Sequence, residues 1–303
     1  MEALGQTFEK IGEMFLEKQR KEGRTKATLD KTSYHLKLAS RDFGRCPITE
    51  ITAPMILKTL RKVEAKGNYE TAHRLRARIG SVFRYAVASG IAETDPTYAL
   101  RDALIRPTRV HRAAITDPKA LGTLMNEIDS FEGQATTRIA LKLLAMLAQR
   151  PGEIRHAMWP EIDFANRVWT IPAEKMKMRR DHVVPLPTQA IELLDELRRM
   201  NGNGDYLFPS LRTWKRPMSE NTLNAALRRL GYSGTEMTAH GFRASFSTLA
   251  NESGLWHPDA IERALAHVDK NEVRRAYARG DHWDERVRLV DWWAGYLDEL
   301  KAS

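Results

Sequence analysis

Residues 150–186 read RPGEIRHAMWPEIDFANRVWTIPAEKMKMRRDHVVPL. The apolar helical pattern TTRIALKLLAMLAQ runs up to Arg150, and Pro151 favours the first turn of a new helix. The period then changes. EIDF, the turn AN, RVWTIP, a charged turn AEKMKMRRD and HVVPL alternate apolar and polar positions between turn residues, which predicts a small antiparallel sheet. Helical spacing returns from Thr188, interrupted by NGNGDYLFPS and GYSGTEMT. The last helix carries Leu289, Trp292, Trp293, Tyr296, Leu297 and Leu300 on one stripe, which suits its own core and a neighbouring protomer equally. The fold class expected is mostly α with a small antiparallel β-sheet.

Upstream the pattern is helical. Residues 4–22 and 24–40 are amphipathic, DFGRCP breaks the period, and ITAPMILKTLRKVEAKG resumes it with Thr52 as N-cap and Gly67 as stop. In YETAHRLRARIGSVFRYAVASG the stripe is Ala72, Leu75, Ile79, Val82, Phe83, Ala86 and Val87, while His73, Arg74, Arg76, Arg78 and Arg84 lie off it. This predicts a helical bundle with a basic face over 1–103. Pro96, Pro107 and Pro118 punctuate the following stretch, which places a linker at 104–114, containing Arg109 and Arg112, and a second domain at 115–303.

The charge follows that division. Of a net +9, residues 1–112 carry 22 Lys/Arg against 13 Asp/Glu, whereas residues 113–303 carry 26 of each. A basic module joined to a neutral one points to a grip on a polyanion beside a domain that acts on it. The single Cys46 excludes an internal disulfide framework and fits a reducing cytoplasm. No apolar run has membrane-spanning length, and the amphipathic N-terminus carries no export signal.

In AHGFRASF (239–246), His240 and Arg243 stand one helical turn apart, but His73 and Arg76 repeat that spacing, so the pair alone is uninformative. Four stretches give it a context: LAQRPGEIRHAMW, EKMKMRRDHVVPL, TAHGFRASF and ALAHVDKNEVRRAYAR. Together they supply Arg150, Lys177, His240, Arg243, His267 and Tyr277. This set suits attack of a phenol on a phosphodiester. Two guanidiniums donate in a fork to the oxygens of a pentavalent phosphorus. A lysine on a turn protonates the leaving oxygen, and histidine and cationic neighbours favour phenolate character in the tyrosine.

These motifs resemble the tyrosine recombinase (phage integrase) family, and their wording is similar to integrases of satellite phages and genomic islands. RPGEIRHAMWPEIDF, YLFPS, MSENTLNAALRRLGY, MTAHGFRASFSTL and IERALAHVDKNEVRRAYAR carry the likeness. The resemblance implies a two-domain architecture, a helical core-type DNA-binding domain and a catalytic domain. It assigns Arg150, His240 and Arg243 to the scissile phosphate, Lys177 to general acid, His267 to the phosphate or the nucleophile, and Tyr277 to a 3′-phosphotyrosyl link. Glu153 buttresses Arg150. DNA contacts are expected from Arg74, Arg76, Arg78, Arg84, Arg109, Arg112, Arg179 and Arg180.

The implied activity is site-specific integration or excision of a mobile element, by a homotetramer on double-stranded attachment sites, in a bacterial cytoplasm and on the nucleoid. No metal or other cofactor is implied, and accessory DNA-bending or directionality proteins are. A regulator that binds without cleaving and a type IB topoisomerase-like enzyme are the rival readings. Two departures stand out: Leu147-Ala148 replaces the family's frequent Thr-Gly, and Ala266 replaces the usual Gly before His267. The chain is also expected to begin at the core-binding helices, without the small arm-site-binding domain usual in this subgroup.

Overall fold

The computed structural model describes residues 6–108, 113–176, 179–267 and 282–303. The chain forms two compact units, Met1–Val110 and His111–Ser303.

The first unit packs α1 (Phe8–Lys21), α2 (Lys26–Phe43), α3 (Ala53–Glu64) and α4 (Tyr69–Ala88) around Phe8, Ile11, Phe43, Ile56, Leu60, Leu75, Ile79 and Phe83. Thr7 and Thr25 cap the first two helices, their hydroxyls accepting from the amides of Lys10 and Thr28. Thr52 occupies the N-cap of α3 with extended backbone, but its hydroxyl makes no capping bond. Gly67 ends the next connection at φ 74°, a left-handed conformation that glycine adopts without penalty. The apolar stripe of α4 is buried as its spacing predicts, except Val87, which is 38% exposed because it lies one residue past the inward-facing Ala86.

In the second unit, α5 (Pro118–Asp129) and α6 (Ala135–Leu147) lead to the short α7 (Pro151–Arg155). A three-stranded antiparallel sheet follows in the order β1 (Ile162–Asp163), β2 (Val168–Ile171), β3 (His182–Pro185). Trp169 lies opposite Val184, and Ile171 opposite His182. The chain continues through α8 (Thr188–Asn201), α9 (Thr222–Arg229), α10 (Gly241–Glu252), α11 (Pro258–Ala264) and α12 (Trp283–Ala302). A second sheet, β4 (Pro209–Ser210) paired with β5 (Thr213–Pro217), falls where the sequence suggested only an interruption. Its residues are exposed or half-buried throughout, so no inward-facing alternation marks them as strand.

The stripe of α12 packs on its own unit. Trp293 is 1% exposed, donates its indole N–H to the Ala145 carbonyl at 2.9 Å, and meets the Phe246 ring edge-on. The helix end runs so close to α5 that a Cβ on Gly122 would lie 2.1 Å from the Leu300 carbonyl oxygen. No helix among the described residues is long and apolar enough to cross a membrane.

Candidate active site

Arg150 caps α7 from its N-terminal side. Its amide donates to Glu153 Oε2 at 2.8 Å, its guanidinium to Glu153 Oε1 at 2.6 Å, and its second terminal nitrogen to the Ala266 carbonyl at 3.3 Å. Glu153, 8% exposed, thus holds both ends of the arginine. Arg243, one turn into α10 and 4% exposed, donates to the Ala148 carbonyl at 2.7 Å and the Leu265 carbonyl at 2.6 Å. Burial, and next the charge of Arg150, push Arg243 down to about 10, which leaves it protonated at neutral pH.

His267 joins this corner: its Nε2 lies 3.0 Å from Arg243 Nη2 and its Nδ1 lies 2.9 Å from Glu262 Oε2. A guanidinium has only donors, so Nε2 accepts and Nδ1 carries the proton donated to Glu262. His240 is half-buried at the N-cap of α10, three residues before Arg243 and therefore on the same helical face. Gly241 is needed there, because a Cβ would lie 2.4 Å from the Ala113 carbonyl oxygen.

Lys177 and Tyr277 lie outside the described residues, as do Arg109 and Arg112. Lys175 is held by Glu161 and by the His156 carbonyl. Arg179 and Arg180 are exposed. On α4, Arg74 pairs with Glu70 at 2.8 Å, Arg84 with Asp95 at 2.9 Å, and Arg76 donates to the Thr97 carbonyl, while Arg78 is half-buried.

Three features escaped the sequence reading. Ala148 and Ala266, the two departures from glycine, both adopt the left-handed region, at φ 50° and 49°. Gln149, 1% exposed, and His182, 8% exposed, are hydrogen-bonded together behind the arginines. Among the described residues a separate cluster, His257, Asp259 and His282, has metal-ligand reach. Its groups also cap helices: His257 Nδ1 accepts from the Asp259 amide, and Glu285 bonds the His257 amide and His282 Nδ1.

Two family descriptions match the chain: "Phage integrase central domain" over residues 8–103 and "Phage integrase family" over residues 115–282. The integrase of Enterobacteria phage P4 is 37% identical over 269 residues, covering 84% of this chain and 61% of that one. Prophage integrase IntA of Escherichia coli K12 is 40% identical over 260 residues, covering 86% and 62%. The chain therefore spans about six tenths of the length of these relatives. Among solved structures, a lambda integrase tetramer bound to a Holliday junction superposes with a TM-score of 0.70 at 22% identity, over 88% of this chain and 79% of that one. The fold is that of the lambda integrase structure, and the chain belongs to the phage integrase family.

Proposed function

We propose that this protein is a site-specific DNA recombinase that cuts and rejoins duplex DNA through a phosphotyrosine on Tyr277. In this reading the Tyr277 phenol gives up its proton to water as its oxygen attacks the scissile phosphorus. Arg150, Arg243 and His240 hold the non-bridging oxygens, with His267 beside them, and Lys177 gives the leaving 5′-oxygen its proton. The products are a 3′-phosphotyrosyl bond and a free 5′-hydroxyl. Attack by a partner strand's 5′-hydroxyl reverses the step, restores the phenol, and conserves the phosphodiester energy, so no nucleotide is consumed.

The observation that carries this reading is the braced guanidinium pair. Of five N–H donors on each arginine, Arg150 commits two and Arg243 three to partners among the described residues. The remainder suits a dianionic, pentacoordinate phosphate. The carbonyl partners fix the forks in advance, so little reorganisation is needed as charge develops.

The substrate is duplex DNA gripped largely through phosphates. The excess charge of residues 1–112 and the set Arg74, Arg76, Arg78, Arg84, Arg109, Arg112, Arg179 and Arg180 supply the contacts, and affinity falls steeply with salt. The ion pair of Arg74 with Glu70 is solvent-exposed on both sides, and a phosphate replaces such a carboxylate at small cost. The similar lambda integrase was solved as a tetramer on a Holliday junction, and exchange of four strands between two sites calls for the same stoichiometry here. Such a protein works on nucleoid DNA in the cytoplasm, with DNA-bending or directionality proteins as further partners.

The test is a nicked suicide duplex whose core is selected from random sequence by binding to the protein. The wild type forms a covalent adduct on it, and Tyr277→Phe binds equally but forms none. Binding without any wild-type adduct overturns the proposal in favour of a regulator. Relaxation of supercoils by a monomer, without exchange between two sites, overturns it in favour of a topoisomerase-like enzyme.

A further inference from the structure

We infer that Gln149 and His182 are positioning residues that set the angle of the Arg150–Arg243 pair by capping two helix ends at once. This rests on the catalytic reading of the arginines given above. α6 ends at Leu147 and α11 at Ala264, and the last carbonyls of a helix have no partner within it. At this corner those orphan acceptors are shared out in order. Gln149 Nε2 donates to the carbonyls of Leu147 at 2.8 Å and Ala264 at 3.0 Å. Arg243 takes the next carbonyl of each turn, Ala148 and Leu265, and Arg150 takes Ala266. One amide and two guanidiniums thereby satisfy five acceptors, Leu147 and Ala148 on one turn and Ala264, Leu265 and Ala266 on the other. The height of each turn, and so the seat of each arginine, depends on the amide between them.

The orientation of that amide is dictated by its surroundings. Both hydrogens point at carbonyls, so Oε1 faces His182, whose Nε2 lies 3.2 Å away and must donate. His182 sits at the start of β3, opposite Ile171 of β2, so the sheet anchors the chain of bonds. The next residue, Val183, accepts from the buried Arg286 of α12, which ties the same strand to the C-terminal helix. Burial, then the charges of Arg286, Arg150 and Arg243, push His182 down to about 3, which keeps it neutral and fit for this role.

The inference predicts a separation of catalysis from binding. On the selected suicide duplex, Gln149→Met and His182→Phe should bind within about twofold of wild type and lower the single-turnover cleavage rate at least tenfold. His182→Gln, whose amide can donate from a similar position, should cleave within about threefold of wild type. Wild-type cleavage by Gln149→Met and His182→Phe overturns the inference. So does a fall in cleavage matched by equal falls in DNA affinity and thermal midpoint, or a His182→Gln as impaired as His182→Phe. Arg243→Ala is the control: if it still cleaves, the catalytic reading itself fails, whereas its inactivity beside active Gln149 and His182 variants removes the positioning role alone.

Discussion

Ala148 and Ala266 share one backbone conformation and differ in burial, which makes a paired prediction. A non-glycine residue in the left-handed region is strained by roughly 1–2 kcal/mol, and glycine removes that strain. Glycine also loosens the unfolded chain, at a cost of about 0.4–1 kcal/mol. Those two contributions are common to both sites and leave a gain of roughly 0.8 kcal/mol. The third differs. Ala148 is 1% exposed, so its methyl is lost from the core at about 0.8 kcal/mol, while Ala266 is partly exposed and loses less, about 0.6 kcal/mol. Ala148→Gly should therefore be close to neutral, and Ala266→Gly should stabilise by about 0.2 kcal/mol. For a unit of this size that is a rise of about 0.5 °C in the thermal midpoint of the 111–303 unit, measured by calorimetry on the whole chain. A lower midpoint for Ala266→Gly than for Ala148→Gly would refute the argument, because only burial separates the two.

Two further outcomes follow from the site. Glu153→Gln removes the charge that holds Arg150 at both ends, a bond of the class contributing about 1.5–3 kcal/mol. Single-turnover cleavage should fall about tenfold, with a thermal midpoint several degrees lower and DNA affinity nearly unchanged; unaltered cleavage would contradict the buttress. His182 is depressed in the folded chain, so its contribution to stability is complete above its unfolded value of about 6.5 and is lost progressively as pH falls toward about 3. Urea titrations at pH 7 and pH 5 should therefore show wild type losing about 2 kcal/mol more than His182→Gln, which does not titrate there. Equal losses in the two proteins would exclude a buried neutral His182.

The fold was legible wherever one face of an element meets a core. The helices of residues 8–88, the three strands between Ile162 and Pro185, and the stripe of α12 all follow apolar spacing that burial requires. The β4–β5 hairpin was illegible for the converse reason. Leu211 is 79% exposed and Trp214 60%, so neither face of the hairpin is constrained by packing, and its residues carry no period. Thr52 shows a related limit: the residue type marked the cap position correctly, but no side-chain bond forms there.

At the site, the sequence supplied charged residues in a chemically meaningful order, and charge is visible in a string of letters. What it did not supply was the set of backbone carbonyls that orient them. Ala148 O, Leu265 O and Ala266 O belong to residues with inert side chains, and they become ligands of Arg243 and Arg150 only because two helices end side by side. The same fact explains why Gln149 and His182 passed unnoticed: each reads as an ordinary residue next to a better-marked neighbour. Buried polar groups must be paired, so two orphaned helix ends at one corner demand a donor between them, and only the folded chain reveals that the corner exists. An arginine fork aimed by helix-end carbonyls is stiffer than one aimed by exposed side chains, since the carbonyls move only if the helices do. Stiffness at that point is what a reaction needs when its charge develops on phosphate oxygens after the substrate is already bound.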